Sequence, residues 1–128
     1  MSSTFTEEEL KTLYITAHQS YETGDYKKAG QLFNLLAKES PFESHYWCGL
    51  ASSEQMQRNY KGALHAWSIA AILQEHDPWV HFHAAECLIS EGDIKEAAKA
   101  LDMAESQCQQ DQVELKNKID LLKTLYTS

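Results

Sequence analysis

The stretch YKKAGQLF at residues 26–33 returns as YKGALHAW at residues 60–67 and again as IKEAAKAL at residues 94–101. The interval is 34 residues each time, and the large first position, the central alanine and the bulky last position recur together. A fixed period of this length is typical of helical hairpins stacked in tandem, since one hairpin alone cannot bury its apolar face. The chain is therefore predicted to be all-α.

Small residues also follow the period, at the points where two helices of a hairpin would cross closely. Two columns of alanine lie twelve positions apart: Ala17, Ala51 and Ala85, then Ala29, Ala63 and Ala97. Aligned small and bulky columns predict close helix crossings with large side chains filling the gaps between them.

The dipeptides Gly24–Asp25 and Gly92–Asp93 share one column, with Arg58–Asn59 between them. Glycine accepts the left-handed conformation that ends a helix, and a following Asp or Asn can cap the next helix. Each dipeptide therefore predicts the turn inside a hairpin.

Six helices are predicted, near residues 7–23, 26–39, 43–57, 60–75, 78–91 and 94–107. They form repeats of about 10–43, 44–77 and 78–111 in a single domain, 1–128. A final helix over 112–126 carries an apolar stripe at helical spacing, formed by Leu115, Ile119, Leu122 and Tyr126. Stacked repeats leave an apolar end, so this helix is expected to cap it.

Composition narrows the function classes. Apolar residues make up 43% and charged residues 23% of the 128-residue chain, and the net charge is -8, which indicates a soluble globular domain. Acidic excess without a Lys/Arg cluster argues against nucleic-acid binding. The polar, acidic start lacks the pattern of a secretory signal, and no apolar run could span a bilayer. We therefore expect a cytoplasmic protein without stable membrane insertion.

No motif for catalysis or for a cofactor is found. The chain lacks a GxSxG elbow, a phosphate-binding glycine loop and an HExxH motif, so it is expected not to be an enzyme. Three cysteines without CxxC spacing indicate reduced thiols. His81 and His83 point to opposite sides of a helix, and His83 with Cys87 makes only two ligands, so no metal site is expected. Packing between repeats is the expected role of His83 and Cys87.

The repeat columns resemble the tetratricopeptide consensus. The first hairpin matches at Ala17, Gly24, Tyr26, Ala29, Phe33 and Pro41. The second matches at Trp47, Leu50, Ala51, Tyr60, Ala63 and Ala70. The third is looser, with Ala85, Gly92, Ala97, Leu101 and Ala104, and it has no final proline. This resemblance implies a right-handed superhelix with a concave groove.

Three further runs, at 17–24, 46–51 and 77–88, are similar to the class II chaperones of bacterial type III secretion. The resemblance covers roughly residues 10–107 and implies a cytoplasmic chaperone. Its client would be a hydrophobic translocator or effector, held through an extended, proline-containing segment and kept competent for secretion. Family members carry a longer N-terminal arm associated with dimer contacts, whereas about nine residues precede the first repeat here. Whether the chain forms a homodimer is therefore an open question.

In tetratricopeptide proteins the first helix of each hairpin lines the concave side. Carried over repeat by repeat, the inward positions that would bind a peptide are Tyr14, His18, Tyr21, His45, Cys48, Ser52, Gln55, Trp79, Phe82, Glu86 and Ile89. These residues could instead be ordinary packing between repeats. The repeat register favours the groove for Tyr14, Tyr21 and Phe82, because the core columns are accounted for elsewhere.

Two other functions stay open on sequence grounds. The chain could be a general tetratricopeptide adaptor or regulatory scaffold, or it could be an enzyme or the regulatory subunit of one. Adaptors that clamp a terminal carboxylate need Lys, Arg or Asn on the inner face, and here the inner positions hold Tyr14, His18, Cys48 and Ser52. The missing clamp favours an apolar groove.

Overall fold

The computed structural model describes residues 4–74 and 76–127. Residues 1–3, Glu75 and Ser128 lie outside the described residues. The predicted end of the fourth helix, at residue 75, therefore also lies outside them. The described residues form α1 (Glu7–Glu22), α2 (Tyr26–Glu39), α3 (Ser44–Met56), α4 (Tyr60–Leu73), α5 (Pro78–Ser90), α6 (Ile94–Gln107) and α7 (Val113–Leu122), followed by a π-helical turn, Lys123–Thr127. Each helix packs against the next in chain order, and the predicted all-α fold is confirmed.

The turns inside the three hairpins use the predicted chemistry. The second helix of each hairpin starts at an Asp or Asn whose side chain accepts the backbone N–H three residues on, at 3.2–3.3 Å: Asp25, Asn59 and Asp93. The residue before each cap has a positive φ, +87° at Gly24, +63° at Arg58 and +82° at Gly92. The second turn therefore holds an arginine in a conformation that favours glycine.

The two alanine columns lie at the centre of the helix crossings. All six alanines, Ala17, Ala29, Ala51, Ala63, Ala85 and Ala97, have no exposed surface. Large side chains fill the remaining space beside them, with Phe33, Trp67 and Leu101 at most 4% exposed. The columns predicted from the 34-residue period are confirmed as the core.

The last helix closes the open end of the third hairpin. Leu115 and Ile119 are buried against α5 and α6, and Leu122 packs beside them. Tyr126 departs from the predicted stripe and is 48% exposed. The reason is the π-helical turn, whose wider spacing changes the helical register after Leu122 and rotates Tyr126 away from the core.

One basic side chain ties the end of α7 to α6. Lys123 Nζ lies 2.8 Å from Asp102 Oδ1 and 3.2 Å from Glu105 Oε1. The hydrogen bond to Asp102 raises the pKa of Lys123 above its ordinary value.

Within the part of the chain that the structure describes, no helix is long and apolar enough to cross a bilayer.

The turn residues predict that Gly92→Ala destabilises the fold whereas Arg58→Gly does not. Gly92→Ala should cost about 1 kcal/mol of unfolding free energy, because the added methyl meets no atom within 4 Å and only the backbone strain remains. Arg58→Gly should be neutral or stabilising by up to about 1 kcal/mol, since relief of that strain outweighs the added chain entropy. Urea unfolding of both variants measures this, and equal signs would contradict it.

The alanine column predicts that Ala63→Leu destabilises the fold by roughly 1–3 kcal/mol through overpacking. Ser68→Leu is the matched control, because it adds a leucine to an exposed position of the same helix and should change stability by less than about 0.5 kcal/mol. Thermal and urea unfolding compare the two. An Ala63→Leu variant as stable as the control would contradict the assigned crossing.

Candidate functional site

An open pocket of about 260 Å³ lies between the first two hairpins. It is lined by residues of α1, α2 and α3, and we call it the first pocket: Tyr14, His18, Tyr21, Phe33, His45, Cys48, Gly49 and Ser52. Six of the eleven candidates predicted from sequence thus line one cavity. Its volume lies below the roughly 300–1,000 Å³ of ordinary small-molecule sites, so it suits one or two side chains of a peptide.

Aromatic rings build one wall of the first pocket. The Tyr14 ring packs edge-on against His18 at 4.6 Å and against Phe33 at 6.1 Å between ring centres. His18 also meets Phe33 edge-on at 5.6 Å, and Tyr46 contacts Tyr14 at 5.4 Å. Contacts of this kind hold the rings in place beyond the effect of burial alone. The wall is therefore shaped before any ligand binds.

The floor of the first pocket depends on a glycine. A Cβ atom at Gly49 would overlap the ring of Phe33, which is 1% exposed and cannot move away freely. Only glycine lets α3 approach the Phe33 ring this closely. The sequence predicts Phe33 as part of a core column and leaves Gly49 unassigned, although a glycine within a helix is a usable signal of close approach.

Two side chains of the first pocket, Cys48 and Tyr21, are held in their uncharged forms at neutral pH. Burial raises the pKa of the Cys48 thiol to about 11, with a smaller effect from Asp77. Burial likewise raises the pKa of Tyr21, helped by the nearby Tyr26 hydroxyl. The pocket therefore offers an apolar wall with neutral hydrogen-bonding groups.

In residues 4–74 and 76–127, no group of three His, Cys, Asp or Glu side chains is arranged to hold a metal ion.

A hydrogen-bonded group of side chains links the second and third hairpins, and we call it the Glu86 cluster: Gln55, Trp67, His83 and Glu86. Gln55 Nε2 donates to Glu86 Oε1 at 3.2 Å, and the Trp67 indole donates to Gln55 Oε1 at 2.9 Å. His83 Nδ1 lies 2.7 Å from the same Glu86 oxygen. Two predicted groove residues, Gln55 and Glu86, are thus brought together.

The His83 ring stacks on two indoles. Its centre lies 5.0 Å from Trp67 and 5.8 Å from Trp79, with interplanar angles of 23° and 27°. Lys118 of α7 places its Nζ 5.6 Å from the centre of the Trp79 ring. The stack confirms the expectation that His83 packs between repeats. Its hydrogen bond to Glu86 is an additional finding, because the cluster that holds Glu86 forms only when α3 and α5 meet.

Phe82 does not lie in the groove, which corrects the expectation from sequence. It is 4% exposed and packs with Leu101, Leu115 and Ile119. The expectation rests on the core columns being accounted for elsewhere, whereas α6 and α7 cover the position of Phe82. Trp79 is half-buried beside it, with ring centres 6.0 Å apart. Ile89 is half-buried and lies outside the first pocket and the Glu86 cluster.

Comparison with known proteins identifies the family. No protein-family model matches the chain. The low calcium response locus protein H of Yersinia pestis is 34% identical over 96 residues, which are 75% of this chain and 57% of that protein. The chain spans a little over half the length of the curated relatives it matches.

Two solved structures superpose closely. PcrH, solved with the chaperone binding region of PopD, has a TM-score of 0.90 and 26% identity, covering 99% of this chain and 97% of PcrH. The type III secretion translocator chaperone SycD of Yersinia enterocolitica has a TM-score of 0.82 and 28% identity, covering 94% and 92%. The chain belongs to the class II type III secretion chaperones. The superposition also confirms the tetratricopeptide architecture of this chain.

The corrected position of Phe82 predicts that Phe82→Ala destabilises this chain by about 3–5 kcal/mol, as expected for emptying a core site. Phe42→Ala is the matched control, because Phe42 is 85% exposed and its loss should change stability by less than about 0.5 kcal/mol. Chemical unfolding compares the two variants. If they were equally stable, Phe82 would belong to a free surface after all.

Proposed function

We propose that this chain is a chaperone that binds an extended segment of a hydrophobic translocator or effector protein in its concave groove. The first pocket takes an apolar side chain of that segment, and the segment continues along α3 towards the Glu86 cluster. The chaperone acts in the bacterial cytoplasm and keeps its client soluble until secretion. The three repeats, about 10–43, 44–77 and 78–111, serve as one binding unit.

One observation carries the proposal: side chains from two hairpins form a single aromatic pocket with room for part of a peptide. A pre-shaped apolar pocket suits a peptide anchor, because little side-chain entropy is lost when the anchor binds. PcrH, the relative with a TM-score of 0.90, was solved with the chaperone binding region of PopD, which supports a peptide ligand for this chain.

The charge of the groove distinguishes the proposal from a carboxylate-clamp adaptor. Helices α3 and α5 contain no Lys and no Arg, and their only acidic residues are Glu54 and Glu86. A clamp for a terminal carboxylate needs cationic donors on these helices. The groove therefore favours apolar or cationic segments and disfavours acidic tails.

The test is co-expression with candidate hydrophobic secreted proteins from the same genome, followed by co-purification and mapping of the bound segment. We expect one short, proline-containing segment to be retained. Tyr21→Ala should weaken its binding by at least about 2 kcal/mol, roughly 30-fold in Kd, because an aromatic wall of the pocket is lost. Phe42→Ala removes an exposed aromatic elsewhere and should bind normally.

Ser52→Phe is a second variant, since it places a ring in the first pocket without removing a core contact. Binding should be lost while the far-ultraviolet spectrum and melting temperature stay close to those of the wild type. Retention of folded proteins alone would favour the adaptor function. Retained binding in both Tyr21→Ala and Ser52→Phe would show that the client binds elsewhere.

A further inference from the structure

Only one of the two carboxylate oxygens of Glu86 accepts hydrogen bonds from the described residues. Its Oε1 accepts hydrogen bonds from Gln55 and His83, whereas Oε2 has no hydrogen-bond partner within residues 4–74 and 76–127. The side chain is 36% exposed, so it is partly withdrawn from water yet open to a ligand. A partly dehydrated carboxylate gains more from a charge-assisted hydrogen bond than a fully hydrated one does.

The donors to Oε1 are held in place by their own neighbours. The Trp67 indole donates to the Gln55 carbonyl, which turns the Gln55 amide nitrogen towards Glu86. The His83 ring lies between the indoles of Trp67 and Trp79. Because these donors cannot easily rearrange, they fix the orientation of Oε2. The carboxylate is thus preorganised for a further donor.

No lysine or arginine of the described residues pairs with this carboxylate. Its one ion-pair partner there is His83, which is charged only when protonated. Lys118, whose Nζ lies over the Trp79 ring, pairs with Glu114 at 3.7 Å. The absence of Lys and Arg from α3 and α5 leaves the negative charge available to a ligand.

The Glu86 cluster adjoins the first pocket along α3. Gln55 follows the pocket residue Ser52 by three positions, which is about 4.5 Å along a helix. An extended peptide advances roughly 3.3 Å per residue, so one bound segment reaches both places within a few residues. The two places therefore form neighbouring subsites for a single ligand.

We propose that Glu86 is a cation-accepting subsite: Oε2 accepts a hydrogen bond from a lysine or arginine side chain of the bound segment. The methylene stem of that side chain lies against the half-buried rings of His83 and Trp79, as long cationic side chains do on apolar surfaces. This subsite rests on the proposed function. It specifies a client segment in which a basic residue lies a few residues from the apolar anchor.

The test uses the full chain and synthetic decapeptides, acetylated and amidated, composed of proline, leucine and serine. In one set lysine is moved one position at a time. In the matched set norleucine, which has the same stem without the charge, replaces it. Titration calorimetry compares both sets on the wild type, on Glu86→Gln and on the control Glu96→Gln, which changes an exposed carboxylate of α6.

At one or two neighbouring positions we expect lysine to bind roughly three- to ten-fold more tightly than norleucine on the wild type and on Glu96→Gln. Glu86→Gln should abolish the preference and leave norleucine binding unchanged, because its amide oxygen still accepts from Gln55 and His83. The preference should shrink as salt is added.

Three results would contradict the proposed subsite. They are no preference for lysine on the wild type, a preference that persists in Glu86→Gln, or an equal loss of affinity for lysine and norleucine peptides in that variant. The last result would make Glu86 a structural support of the groove. These outcomes leave the proposed function intact if norleucine peptides bind. If no peptide binds the wild type, the proposed function itself fails.

Discussion

The close crossing of paired helices at the alanine columns is the constraint on which the rest of the structure depends. Two helices can pack at these points only because no side chain larger than a methyl lies between them, and all six alanines are fully buried. The crossing sets the distance between the two helices of each hairpin. Side chains of α1 and α3 meet at the first pocket, and side chains of α3 and α5 meet at the Glu86 cluster.

The two junctions between neighbouring hairpins have different chemistry. Between the first and second hairpins, Gly49 lets the Phe33 ring approach α3, and an open aromatic pocket results. Between the second and third hairpins, Trp67 and His83 fill the equivalent space, and a polar cluster closes over it. Backbone repetition therefore supplies the frame, whereas a few side chains decide whether each junction is open or closed.

This difference bears on how the proposed client segment would be selected. An apolar pocket alone distinguishes similar side chains weakly, because one methylene changes binding by only about 1–3 kcal/mol. In the proposed subsite, the neighbouring Glu86 carboxylate would reject acidic segments and add a directional requirement. The family relation to PcrH and SycD gives the architecture, and the proposed preference within it rests on the groove residues of this chain.

Local periodicity in the sequence by itself determined the helices, the capped turns at Gly24, Arg58 and Gly92, and the buried columns. These features depend on residues close in the chain or on a repeat that every hairpin obeys. The tertiary structure alone decided that Phe82 is core, that Gly49 meets Phe33 and that Gln55 binds Glu86. The physical reason is that each of these contacts joins separate helices, where the approach of a neighbour, and not the period, sets what a side chain touches.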